Sequence, residues 1–310
     1  MGDARTDGSD GAPARPLKVR VGIGAPAATD PDALAALAGD LADTGFDSLW
    51  CAEVLTAPGA DPLVALAWAA AAAPKLKLGT ILLLPGRNPV RLAKQLATLD
   101  RLSGGRLLVT FVPGVERGPE RGAIGVAGPD RARAMDEALP LLHELLAGRP
   151  VTHHGILGQF DDVTLPLLPV QGPFDFWTGG MARAALLRCG RLADGWLPSL
   201  CTPAEAAAAK VVIDEAAAEA GRAISPEHFG VGLSYSDVPM DGAAAATLSA
   251  RSRGHDPADL VPVGLDALRR RIEEFVAVGV SKFVVRPLVP PPSWRAELER
   301  LATAIGNLQT

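Results

Sequence analysis

KLGTILLLPGRNPVRLAKQLATLDRLSGGRLLVTFV, residues 77–112, decides the fold. It opens with an apolar, β-branched run at 77–84 and closes with another at 106–112. Between them, 90–102 places Leu92, Leu96 and Leu99 on one helical face, and Ser103-Gly104-Gly105 stops the helix. Strand, helix, strand in this order is a βαβ unit. Its two strands run parallel, and the helix covers one face of the sheet.

The same unit repeats outward in both directions. Strands are expected at 18–24, 46–50, 77–84, 106–112, 174–178, 194–198, 229–235 and 281–286. Helices are expected at 31–44, 61–73, 90–102, 130–146, 182–192, 203–220, 265–278 and 294–305. Gly45 follows the first helix as a C-terminal stop. Eight strands, each followed by a helix, fit a closed (β/α)8 barrel better than an open sheet. The period breaks at 149–173, which reads as an insertion of short strands or loops. The 237–263 connection is too long for a plain link and is expected to hold an extra helix or a mobile segment.

Composition sets the outer limits. Of 310 residues, 48% are hydrophobic, and the net charge is only −5. No basic stripe suggests a nucleic-acid partner. Residues 1–16 are polar and lack the apolar core of a signal peptide, so they read as a disordered tail before one barrel domain at 17–310. The alanine-rich run at 62–73 is too short to span a membrane. Three scattered cysteines fit a reducing compartment, and a cytoplasmic location is expected.

In a barrel of this kind, function gathers where strands end and helices begin. Three such places stand out. Thr178-Gly179-Gly180-Met181 joins a strand to a helix; its small residues allow backbone amides to approach a phosphate, and the helix start adds positive potential. An ordinary tight turn has the same spelling. Gly22-x-Gly24 leaves room for a flat ring at the barrel mouth, or for close strand packing, and it lacks the rest of a dinucleotide fingerprint. Glu53 ends the second strand, where a carboxylate serves as a general acid or base, or sits as a solvated loop charge. The five histidines have no metal-ligand spacing, and no G-x-S-x-G elbow occurs.

Four blocks resemble luciferase-like oxidoreductases: Gly45–Trp50, Leu78-Gly79-Thr80 with 88–106, Trp177–Gly180 with 191–198, and 279–287. The likeness covers nearly everything past residue 17. It implies a TIM barrel with insertions, a homodimer, and bound coenzyme F420, with FMN as the alternative. The look is closest to actinobacterial F420-dependent oxidoreductases. Such an enzyme transfers hydride between the cofactor and a small organic substrate. An FMN monooxygenase and a catalytically silent flavin-binding barrel are the rival readings.

By position, the resemblance implies phosphate contacts at Thr178, Gly179, Gly180 and Ser199. It places the cofactor against Gly24, Thr80, Ile81, Leu82, Phe111 and Met181, with a non-proline cis peptide near Ile81–Leu82. Arg87, Arg91 and Arg183 stand near the expected mouth as partners for an acidic cofactor tail. Two departures show. Val54 stands where many F420-using relatives carry a histidine after the acid. Phe111 and Pro113 replace glycines and are expected to crowd the pocket.

Overall fold

A computed structural model describes residues 17–25, 30–114, 120–249 and 252–310. Residues 1–16, and with them the expected tail, lie outside the described residues. Ten strands and eleven α-helices follow in order: β1 (Arg20–Gly24), α1 (Pro31–Asp43), β2 (Ser48–Ala52), α2 (Pro62–Ala72), β3 (Lys77–Leu83), α3 (Pro89–Ser103), β4 (Leu107–Val112), α4 (Glu120–Ala123), α5 (Gly128–Leu146), β5 (Val151–Gly155), β6 (Gly158–Val163), β7 (Phe176–Thr178), α6 (Arg183–Leu192), β8 (Gly195–Trp196), α7 (Pro203–Glu219), β9 (Gly230–Tyr235), α8 (Gly242–Ser249), α9 (Pro257–Leu260), α10 (Leu265–Ala277), β10 (Lys282–Pro287) and α11 (Trp294–Ile305).

The helices begin where the sequence supplies both a cap and a proline. Asp30, Asp61 and Asn88 each accept a backbone N–H from the first turn of the helix that follows, and proline opens all three helices. Proline loses nothing there, because that N–H has no partner inside a helix. The α3 helix ends at Gly104, with φ of 69°, a left-handed turn that glycine adopts without strain.

Eight strands form one parallel sheet in the order β8-β7-β4-β3-β2-β1-β10-β9. Bridges from Trp196 to Phe229 and from Ser199 to Gly232 join its two ends and close the barrel. The expected eight-stranded barrel is what forms. The insertion is the β5–β6 hairpin, and the long connection carries α8 and α9.

Period-2 alternation sorts each strand between two environments. Outward side chains such as Ile23, Leu49, Leu78, Phe111 and Phe176 meet the helices in the main core. Inward side chains fill the lumen, where Trp50 packs with Leu197, Val284, Ile81, Leu108 and Trp177. Two indoles need space, and glycines supply it. A Cβ on Gly79 would stand 2.1 Å from the Trp50 ring, one on Gly22 2.8 Å from it, and one on Gly195 2.5 Å from Trp177. The flat ring that Gly22 accommodates is therefore the chain's own.

The expected cis peptide at Ile81–Leu82 does not occur; among the described residues the cis bond is Gly172–Pro173. β3 stays extended because both its edges are paired in unbroken register. Ile81 lies opposite Ala52 on one side, and Leu82 and Leu83 lie opposite Phe111 and Val112 on the other.

Candidate functional site at the carboxyl end of the barrel

The inward face at the strand ends is lined by small or short side chains. Gly24, Ala52, Gly179, Ser199, Gly232 and Ser234 come from five strands or strand ends, the last two from β9. Ile81 is the apolar wall and packs beside Trp50. Thr110 lies on the inward face of β4 between Leu108 and Val112; it is fully buried, and its hydroxyl has no hydrogen-bond partner. A buried polar atom without a partner is costly, so a partner from outside the chain is the natural complement. Arg286 is exposed at the end of β10, and a Cβ on Gly24 would stand 3.3 Å from the Arg286 Cβ.

The β7–α6 turn forms the opposite rim. Gly180 is exposed with φ of 109°, a region closed to most side chains. Its carbonyl accepts from Trp196 Nε1 at 3.1 Å, which aims the turn. Ala182 is the N-cap of α6 and has no side-chain cap bond. Ala185 N donates to Ala182 O at 2.8 Å, and the Arg183 and Ala184 amides are left to meet an acceptor from outside. Ser199 is exposed on the neighbouring strand end, held by the parallel bond from Gly232 N to Pro198 O at 2.8 Å. Leu200 beside it has φ of 55°. Arg253 donates to its carbonyl at 2.8 Å and to Glu205 at 3.2 Å, and His255 meets the same carboxylate at 2.9 Å. Burial pushes the Glu205 carboxyl up, but the Thr202 amide, His255 and Arg253 outweigh it and hold it below its ordinary value.

Several expected site residues face elsewhere. Thr80, Leu82, Phe111 and Thr178 point outward, because they alternate with the lumen residues. Leu82 and Phe111 belong to the helix-side core. The Phe111 ring stacks on Phe176 at 5.4 Å and so does not crowd the mouth. Thr178 is buried beside the Cys189 thiol of α6. The Gly179 N–H already donates to Phe111 O at 3.1 Å, so it is not free for a phosphate. Gly24, Ile81, Gly180 and Ser199 remain at the mouth. Met181 is half-buried and packs on the main core.

Glu53 is also spoken for. One carboxylate oxygen lies 2.5 Å from Arg87 Nη2; the other accepts the Leu83 N–H at 2.8 Å. Arg87 Nε donates in turn to Leu83 O at 2.9 Å. The pair ties the end of β2 to the loop after β3. Glu53 and Arg87, expected as an acid-base group and as a partner for an acidic tail, thus meet each other at this loop. Arg183 is exposed on the first turn of α6 and stays available at the rim. Thr110 and Arg286 are the residues that sequence reasoning passed over. Alternation within β4 and β10 carried the signal, once the inward face was known.

The mouth thus offers a glycine turn at a helix start, a hydroxyl at its floor, an apolar wall and rim cations. Among the described residues it offers no unpaired carboxylate on the lumen face. Nor do the described residues include three His, Cys, Asp or Glu placed to hold a metal ion. No described helix is long and apolar enough to cross a membrane.

Fold and mouth together define a (β/α)8 barrel with a polar and apolar mouth at its carboxyl end. A family model described as luciferase-like monooxygenase matches residues 16–276. The chain belongs to that family of enzymes. It is 27% identical over 245 residues to a provisionally named coenzyme F420-dependent oxidoreductase of Mycobacterium tuberculosis, covering 74% of this chain and 69% of the relative. It is 35% identical over 128 residues to the FMNH2-dependent dimethylsulfone monooxygenase of Pseudomonas putida, covering 40% of this chain and 35% of that one. Among solved structures, the coenzyme F420-dependent tetrahydromethanopterin reductase of Methanopyrus kandleri superposes with a TM-score of 0.76 at 22% identity, over 94% of this chain and all of that one. That likeness shows the fold.

Proposed function

We propose that the chain is an oxidoreductase that transfers hydride between coenzyme F420 and a small organic substrate. The buried, unpartnered Thr110 hydroxyl carries the reading, since it asks for a polar group in the lumen at the mouth. The relative from Mycobacterium tuberculosis supports F420 as that group. When bound, the deazaflavin supplies a carbon that takes or gives hydride, so the protein's part is binding, orientation and electrostatics.

The residues divide that work. The uncapped start of α6 and the Ser199 hydroxyl would hold a phosphate. Arg183 and Arg286 would meet an acidic tail. Ile81 and Trp50 would back a planar ring and exclude water. Glu53, tied to Arg87, shapes the mouth. FMN is the second reading, favoured by the 35% identity to an FMNH2-dependent monooxygenase.

Titrating purified protein with each cofactor and following cofactor fluorescence separates the two. Saturable F420 binding, tighter than FMN, is expected. Tight FMN binding with none for F420 would overturn the proposal. Cofactor binding without turnover on any substrate would leave the silent barrel.

The same reading includes a cytoplasmic homodimer acting on a small molecule. Support for the dimer lies on α2. Its outer face carries Val64, 69% exposed, and Trp68, 56% exposed, one turn apart, with exposed Ala71 and Ala72 beyond. An apolar stripe of this kind is the usual mark of a covered face.

A further inference from the structure

The amino end of the barrel holds a cavity of about 240 Å³, walled off from the mouth by Trp50 and Trp177. It is smaller than cofactor-sized pockets. Its lining is split by charge around the ring of strands. Lys18, Arg20, Lys77 and Lys282 come from β1, β3 and β10 or the residue stretch leading into them. Asp175, Glu227 and His228 come from the segments entering β7 and β9. In the sheet, β3, β2, β1 and β10 are consecutive, while β7 and β9 flank β8 across the barrel. On one side β4 separates the two sets, and it contributes only Leu107, Leu108 and Val109.

Neither half is neutral by itself. Asp47 binds the buried Lys282, sits 3.1 Å from Lys77 and 3.8 Å from Arg20, and so answers one of several positive charges. Among the described residues Asp175 pairs with His228, at 3.8 Å. Burial raises its carboxyl above the ordinary range, with Asp194 adding to the rise and His228 and His143 opposing it. Lys18 and Glu227 make no ion pair among the described residues. A purely structural charge layer would bring the two sets into contact. Here a cavity roofed by indoles keeps them apart.

We propose that this cavity is a second binding site, for a small zwitterion: an α-amino acid with a compact apolar side chain. Its carboxylate faces Lys18, Arg20 and Lys77, its ammonium faces Asp175 and Glu227, and its side chain lies under Trp50 and Trp177. A molecule with only one of the two charges leaves one half of the cavity unanswered, which is the basis of selectivity. The site needs no cofactor and stands apart from the proposed oxidoreductase activity.

The full-length protein without added cofactor tests it. L-leucine is titrated by calorimetry and by intrinsic fluorescence, since two of the five tryptophans line the cavity. Isocaproate and isoamylamine are leucine's skeleton without the amine and without the carboxylate. Saturable leucine binding is expected, with each analogue about tenfold weaker or more. Lys18→Gln and Glu227→Gln, both at the rim, should each weaken leucine by about tenfold in a folded protein. The proposal falls if leucine gives no saturable signal at concentrations on the order of 10 mM. It falls equally if either analogue binds as well as leucine, or if both variants bind leucine like the wild type.

Discussion

Glu53 and Thr110 show how differently two polar residues at one mouth behave. Glu53 is nearly buried, and both its oxygens are engaged by Arg87 and the Leu83 amide. Glu53→Gln keeps the shape but removes the charge that Arg87 needs. It should cost about 1–3 kcal/mol of stability, because a charged hydrogen bond is lost and a partner is stranded. Cofactor affinity should stay near the wild-type value. Thr110→Val does the reverse. It removes an unpartnered buried hydroxyl, so stability should hold or rise, while F420 affinity falls. Denaturant unfolding and cofactor titration on the two variants together check the pair. Equal loss of affinity in both would mean that the mouth was misassigned.

Between elements, the amino end of the barrel is held by β10 against the residue before β2. Lys282 is buried and bound to Asp47. Burial pushes the Lys282 amine down to about 8, against the opposing pull of Asp47. Burial raises Asp47, but Lys282 and Lys77 outweigh it and hold its carboxyl below the ordinary value. The unfolded chain keeps its proton on Lys282 up to about pH 10.5, so above pH 8 it binds more protons than the folded one. Stability therefore rises with pH across that window, by on the order of 2 kcal/mol from pH 8 to 10. Asp47 acts at the other end: its contribution is present above about pH 4 and is lost as pH falls through its lowered folded value. Urea unfolding at pH 8, 9 and 10 checks the first claim, and Lys282→Met should flatten that slope. Because it leaves Asp47 short of its closest cation, Lys282→Met should also cost about 3–5 kcal/mol at neutral pH.

For the whole molecule, the barrel buries its helices on one side and leaves the outer face of α2 apolar. Val64 and Trp68 are its largest exposed members. Trp68 Nε1 donates to Pro31 O at 3.1 Å, which ties the indole to the start of α1. If a second copy covers this stripe, light scattering should give twice the chain mass. Trp68→Lys should then return a folded monomer, since a charge at the centre of an apolar contact has no partner there. A wild-type monomer, or a Trp68→Lys dimer, would place the contact elsewhere or remove it.

The sequence by itself determined the order of strands and helices, because periods of 2 and 3.6 and the Asp-Pro and Asn-Pro helix starts are local properties. It also carried the barrel, since eight βα units leave few other ways to pair parallel strands. The β7–α6 turn and Ser199 were legible for the same reason: position at a strand end is a matter of counting. Which face of each strand looks inward was not legible from runs such as 77–84 and 106–112, which are apolar at nearly every position. Strands buried on both sides erase the alternation that would name a face. The family resemblance put Thr80, Leu82, Phe111 and Thr178 at the mouth, and no alternation in these runs spoke against it or pointed to Thr110 and Arg286. Only the closed barrel decided that Gly22 and Gly79 make room for Trp50, that Arg87 reaches back to Glu53, and that opposite charges face one another across the amino end. Each is a contact between residues distant in sequence, set by register and closure around the ring, and no local pattern encodes it.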